Sequence, residues 1–297
     1  VIHEKCEPYF NDQLFKLHLL YEGEEIVWWS ERTGHGHYYR YDKNGNLKNA
    51  ITSGGWTAGK VVKIDTARQT LYFEAYGQEK EGFPYFARLH KVRLDGKGGV
   101  KLLTPEQATH KVHFLTGGRY FVDNYSRADL EPRSVLRDNK GKVILELASP
   151  DLTRLYEAGW KMPEPFTVKA ADGHTDLYGF MWKPFDFDST RRYPIISYVY
   201  PGPQTEAIPL EFSVTAAYNV GLAQVGFVVV TFGDRGGSAM RDKWYHTFGY
   251  NNLRDYPLAD DKCGIEQLAD RFSFIDKSKV GIFGHSGGGF MSTAALC

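Results

Sequence analysis

Gly284-His285-Ser286-Gly287-Gly288 is the segment of this chain best suited to covalent chemistry. It reads G-x-S-x-G, the pattern that presents a serine on a sharp turn between a strand and a helix. Small residues on either side let the turn form and leave the hydroxyl exposed above the sheet edge. A serine so placed becomes an acylating nucleophile when a histidine takes its proton and an acid orients that histidine. Where this turn is used, acid and histidine follow the serine in chain order. Residues 287–297 hold neither. The partners are therefore expected beyond Cys297, and the chain as given is expected to be inactive.

The flanking sequence must supply the turn. Lys279-Val280-Gly281-Ile282-Phe283 is a short apolar run, read as a strand buried on both faces. Asp276 and Ser278 form a polar turn just before it. Phe290 to Leu296 can be helical, and Gly289 is expected to let that helix approach the sheet closely. His246 and His285 precede the serine or belong to the turn itself, in the wrong order for the base.

Composition narrows the class. A chain of 297 residues with formal net charge +0 and 24% charged residues has no global field for nucleic acid or an anionic membrane. No apolar run approaches the ~18 residues of a membrane span. Cys6, Cys263 and Cys297 lie far apart, without a C-x-x-C pair, so neither a disulfide framework nor a metal centre is indicated. No cofactor is implied.

The first half alternates aromatic or β-branched runs with polar turns, as antiparallel strands do. Trp28, Phe73 and Phe121 sit in equivalent runs, spaced 45 and 48 residues apart. Asp42–Gly45, Asp95–Gly98 and Asp138–Gly141 are three D-x-x-G turns at matching places. A period of ~40–50 residues with four strands is that of a β-propeller blade. Residues 1–150 are thus expected to form about three four-stranded blades, the C-terminal part of a partial propeller whose earlier blades lie outside the chain.

The pattern changes near Ser149-Pro150-Asp151. A short helix through Glu157 is expected, then a hairpin around Asp172-Gly173. A strand at 194–200, a helix at about 215–224, a strand at 227–232, a helix at about 256–269 and the strand before Ser286 follow. Strand–helix alternation implies parallel crossovers. Residues 151–297 are expected to form the N-terminal part of an α/β-hydrolase domain, ending just after the nucleophile turn.

A propeller leading into a hydrolase resembles the prolyl oligopeptidase family of serine peptidases, most closely its dipeptidyl peptidase IV branch. Three further stretches carry the resemblance: Arg192-Tyr193-Pro194 leading to Tyr200-Pro201-Gly202-Pro203, Thr231 to Ser238 with Arg235-Gly236, and Trp28-Trp29-Ser30-Glu31-Arg32-Thr33-Gly34. The resemblance implies that Ser286 is the nucleophile. It implies that the Gly287 N–H and the Tyr200 hydroxyl form the oxyanion hole. It further implies peptide substrates and release of N-terminal dipeptides with proline or alanine second. A homodimer of the full-length protein and, for a bacterial parent, a periplasmic or secreted setting are also in keeping with it. Two departures stand out. Gly233 replaces the acid usually found two residues before the loop arginine, with Asp234 adjacent instead. Gly287 replaces the aromatic residue commonly found after the serine, which weakens the inference of proline selectivity. An acylaminoacyl peptidase or oligopeptidase on this scaffold, or a non-catalytic binding scaffold, is the alternative.

Other patterns carry less. Gly54 to Lys60 fits G-x-x-x-x-G-K, but Val61 stands where a magnesium-holding Ser or Thr is needed. His35 and His37 lack a nearby acid or thiol to complete a metal site. Glu24-Glu25 reads as a solvated turn, and Asp260-Asp261 as a solvated or structural pair on a helix.

Overall fold

Repeated turn chemistry folds the first half of the chain into three sheets of one design. The computed structural model describes residues 1–252 and 255–297. Two compact units form: Val1–Ser126 with Pro132–Ser149 and Ala239–Trp244, and Arg127–Glu131 with Pro150–Ser238 and Tyr245–Cys297.

In the first unit the strands are β1 (Leu17–Leu20), β2 (Glu25–Ser30), β3 (His37–Asp42), β4 (Leu47–Ala50), β5 (Thr57–Asp65) and β6 (Thr70–Tyr76). They continue as β7 (Arg88–Arg93), β8 (Lys101–Leu102), β9 (Thr109–Phe114), β10 (Tyr120–Arg127), β11 (Leu130–Asp138) and β12 (Val143–Ala148). Each successive set of four is one sheet with its strands in chain order. Trp28, Phe73 and Phe121 all lie on the second strand of their sheet, and each D-x-x-G turn joins the third strand to the fourth. The motif works locally. Asp42 and Asp138 each accept the N–H groups two and four residues on, while Gly45 and Gly141 take φ of 85° and 90°, which glycine adopts without strain.

Adjacent sheets bury one another's aromatic faces. The first two share a core that includes Val27, Trp29, Tyr38, Leu71 and Phe73. Trp29 Nε1 donates to the Ala58 carbonyl and the Tyr38 hydroxyl to the Gly59 carbonyl, both at 2.7 Å, so the buried polar tips are satisfied. Tyr72, Leu89, Leu103 and Phe121 join the second sheet to the third. Glu24 lies in the solvated turn as expected, bonded to Lys43. Glu25 instead opens β2, where Arg40 and Lys48 hold its carboxylate.

The second unit is built on β13 (Glu164–Lys169), β14 (Asp176–Trp182), β15 (Tyr193–Tyr198), β16 (Val228–Phe232) and β17 (Ile275–Phe283), in sheet order β13-β14-β16-β15-β17. The β13–β14 hairpin is antiparallel, and β15 runs parallel to both β16 and β17. The helices are α1 (Thr153–Glu157), α2 (Asn219–Gln224), α3 (Lys243–His246), α4 (Leu258–Arg271) and α5 (Gly287–Ala294). Ile265 and Leu268 of α4 enter a core with Val168, Leu177, Ile195, Val228 and Val230. α2 starts later than its sequence suggests because Ala216 and Ala217 take φ of 44° and 57°, outside the right-handed helical region.

One expectation is corrected. Burial on both faces holds for β16, every residue of which is buried, but not for β17. Among the described residues β17 pairs only with β15, and Val280 is 50% exposed. Asp276 and Ser278 fall inside β17, at a shift in its register with β15.

Candidate active site

The G-x-S-x-G segment forms the turn from β17 into α5. Ser286 caps the helix with φ 53° and ψ −111°, a region that L-residues enter only under strain. Its surroundings hold it there. Gly288 N–H donates to the His285 carbonyl at 2.9 Å, and Phe290 N–H to the Ser286 carbonyl at 3.1 Å. The serine remains exposed.

The turn rests on the chain just beyond β15. Tyr198 and Phe283 are register partners, their rings stacked at 4.9 Å, and Val199 N–H donates to the Phe283 carbonyl at 2.9 Å. A β-carbon on Gly284 or Gly288 would lie 2.2 Å from the Val199 carbonyl oxygen, and one on Gly287 2.7 Å from that of Pro201. The close approach expected of Gly289 belongs to these three glycines instead. A β-carbon on Gly289 would meet nothing nearer than 3.8 Å, because that residue faces away from the strand end.

This contact brings the sequence-predicted residues together. Tyr200 follows Val199 directly, and its Cα lies 3.7 Å from the β-carbon position of Gly288. Ser286 and Tyr200 thus emerge side by side at the C-terminal ends of adjacent parallel strands, where α/β sheets form their ligand sites. Gly287 opens α5, and the first N–H groups of a helix have no acceptor within it. Their partial positive charge suits a developing anion.

Beneath the neighbouring loops lies a set of acids whose roles the sequence does not disclose. Asp260 accepts from the Arg235 side chain at 2.7 and 3.0 Å, from Arg235 N–H at 3.0 Å and from Ala171 N–H at 2.9 Å. Arg235 also reaches Asp172 at 3.1 Å and lies 4.1 Å over the Phe248 ring. This fastens the loop after β16 to α4. Asp261 accepts the Ser197 hydroxyl at 2.6 Å. Burial, reinforced by the charge of Asp260, pushes its carboxyl up to about 6 against the pull of the serine. Asp234 is driven well above the usual carboxylate range by burial first, then by Glu206, Asp260 and Asp261. The Asp260-Asp261 pair is therefore buried and structural. His246 is buried as well.

The first unit offers one grouping with metal-ligand geometry among the described residues, Glu106, His110 and Asp123. Arg137 already occupies it. Its guanidinium donates to Asp123 at 2.8 Å and to Glu106 at 2.7 Å, while His110 Nδ1 faces Asp123 at 2.9 Å. Two carboxylates bridged by one guanidinium make an ion-pair network, which is a structural role. A cavity of about 800 Å³ in the same unit is lined by residues that include Lys60, Lys63, Glu74, Lys111, His113 and Thr116. His37 bonds Thr52 at 3.1 Å and the Gly54 carbonyl at 3.0 Å, so its ring is committed to the fold.

No helix among the described residues is long and apolar enough to cross a membrane. Residues 1–132 match the family model of the dipeptidyl peptidase IV N-terminal region, and residues 212–297 that of the prolyl oligopeptidase family. Human dipeptidyl peptidase 8 is 30% identical over 267 residues, 83% of this chain and 28% of that protein. A crystal structure of a Bacteroides ovatus protein assigned as a dipeptidyl aminopeptidase IV superposes with a TM-score of 0.78 at 26% identity. It covers 94% of this chain and 41% of its own. Porphyromonas gingivalis dipeptidyl peptidase 4 shares the fold, with a TM-score of 0.80 at 24% identity over 97% of this chain and 40% of its own. The three sheets are thus blades of a β-propeller, and the five-stranded sheet is that of an α/β-hydrolase. The chain spans little more than a quarter of the length of the human and mouse dipeptidyl peptidase 8 sequences it matches.

Proposed function

Because this chain belongs to the prolyl oligopeptidase family, with dipeptidyl peptidases among its relatives, we propose that it carries the acylating part of a serine exopeptidase releasing dipeptides from peptide N-termini. Ser286 Oγ attacks the scissile carbonyl, and its proton passes through a histidine to the departing amine. The C–N bond breaks and an ester to Ser286 forms. Water then hydrolyses that ester and frees the dipeptide. Charge developing on the carbonyl oxygen is met by Gly287 N–H and the Tyr200 hydroxyl, and one such donor contributes about 2.7–4 kcal/mol. The histidine and its acid follow the serine in this fold.

The observation that carries this reading is the strained Ser286 turn seated on the strand end that bears Tyr200. Preference for proline or alanine as the second residue follows from the family resemblance, and Gly287 leaves the pocket wall to other side chains. The test uses a chain carrying the complete hydrolase domain. A fluorophosphonate should label Ser286, Ser286→Ala should abolish labelling, and Tyr200→Phe should slow dipeptidyl arylamide hydrolysis about 10²–10³-fold. Cleavage of N-acylated aminoacyl arylamides in preference to free dipeptidyl ones would instead mark an acylaminoacyl peptidase. No labelling at all would mark a binding scaffold.

A further inference from the structure

The segment carrying Tyr200 is short, stiff and anchored at its far end by one side chain. Pro201 and Pro203 restrict its backbone, and Gly202 N–H donates to the Thr205 carbonyl at 3.1 Å. Next comes Glu206, whose Oε1 accepts two bonds, from Ser238 N–H at 3.1 Å and from the Tyr245 hydroxyl at 2.5 Å. Gly237 lies so close that a β-carbon there would sit 2.4 Å from Glu206 Cγ. Gln204 N–H adds a bond to the Gly236 carbonyl at 3.3 Å, and Gly236 N–H closes on the Tyr245 carbonyl at 2.7 Å.

Ser238 and Tyr245 are far from arbitrary partners. The intervening residues, Ala239–Trp244, group with the first compact unit, so these two residues are the ends of an excursion from the second. One carboxylate oxygen of Glu206 bonds both ends, six residues along the chain from Tyr200. Tyr245 is itself buried, which limits competition from water.

We propose that Glu206 is a positioning residue for the oxyanion hole, fixing the Tyr200 segment against the neck formed by Ser238 and Tyr245. The proposal rests on the oxyanion reading of Tyr200 and adds the group that sets its geometry. Displacement of a catalytic donor by an ångström can lower the rate about 10²-fold, so release of this tie should appear in kcat.

The test compares Glu206→Ala, Glu206→Gln and Tyr200→Phe in a chain carrying the complete hydrolase domain, with active sites counted by fluorophosphonate titration. Glu206→Ala should lower kcat per titrated site about 10- to 100-fold with KM little changed. Glu206→Gln keeps a side-chain oxygen acceptor and should recover most of the loss. The double variant Tyr200→Phe/Glu206→Ala should be no slower than Tyr200→Phe alone, since the glutamate acts through the tyrosine. If Glu206→Ala does not fold, Tyr245→Phe removes one of the two donors and should lower kcat in the same way. Unchanged kcat in the glutamate variants beside a slow Tyr200→Phe, or losses that simply multiply in the double variant, would overturn the positioning role alone. Unchanged kcat in Tyr200→Phe would overturn the oxyanion reading, and this proposal with it.

Discussion

The Val199 carbonyl oxygen lies 2.2 Å from where a β-carbon on Gly288 would stand. This relationship fixes which glycines of the turn are obligatory. Gly288→Ala must push apart two backbones, with no flexible side chain to yield, and should cost about 1–3 kcal/mol. Gly284→Ala meets the same oxygen at 2.2 Å and should behave alike. Gly289→Ala meets only an ordinary contact at 3.8 Å in a helical setting, and should stabilise by about 0.5–1 kcal/mol. Thermal unfolding of the three variants checks the ranking, and a destabilised Gly289→Ala would contradict the geometry.

Ser286 offers a second measurable contrast. Its φ of 53° with ψ −111° imposes strain of about 1–3 kcal/mol on a residue with a β-carbon. Ser286→Gly should therefore raise the unfolding temperature while abolishing fluorophosphonate labelling. Ser286→Ala keeps the β-carbon and should abolish labelling without that gain. Equal stability of the glycine and alanine variants would show the backbone to be unstrained.

The acids below the site predict a pH dependence. Asp261 titrates near 3.8 in the unfolded chain and about 6 in the native one. Below the first value the carboxyl is protonated in both states and has no effect. As pH rises the unfolded chain releases its proton first, so stability falls through the interval and levels off above about 6. Asp261→Asn retains an oxygen for the Ser197 hydroxyl and cannot ionise. It should remove this part of the decline and be relatively more stable at pH 7 than at pH 4. Urea unfolding at both pH values decides, and a constant difference between variant and parent would refute the assignment.

Removal of Arg137 tests the ion-pair network of the third blade. Asp123 is fully buried and Arg137 nearly so. Arg137→Leu strands two carboxylates beside His110 and should cost about 3–5 kcal/mol. Replacing Arg137, Asp123 and Glu106 together by apolar residues should cost less, because no charge is left alone. Urea denaturation that found Arg137→Leu within about 1 kcal/mol of the parent would mean that water reaches the network.

Legibility in the sequence follows the range of the forces involved. The D-x-x-G turns at Asp42 and Asp138 act within five residues, through an aspartate and a glycine, so both can be read from a few neighbouring letters, whereas in the second sheet Asp95 accepts the Lys97 N–H and the tight turn is closed by Gly96 N–H on the Arg93 carbonyl. The Ser286 turn is legible for the same reason. Gly288 and Gly289 look alike in sequence, and only the position of Val199 distinguishes them. An apolar run such as Val280 to Phe283 does not reveal whether one neighbouring strand covers it or two. Glu206 looks like an ordinary loop glutamate, since its partners are 32 and 39 residues away. Asp123, Arg137, His110 and Glu106 meet only after three strands have paired.

The strain at Ser286 also bears on descent. From some of its codons serine becomes glycine by one nucleotide change, and here that change relaxes the backbone. A lineage released from acyl transfer would have a short, stabilising path away from the hydroxyl. On the proposed reading, acyl transfer is the function that keeps a serine in such a backbone.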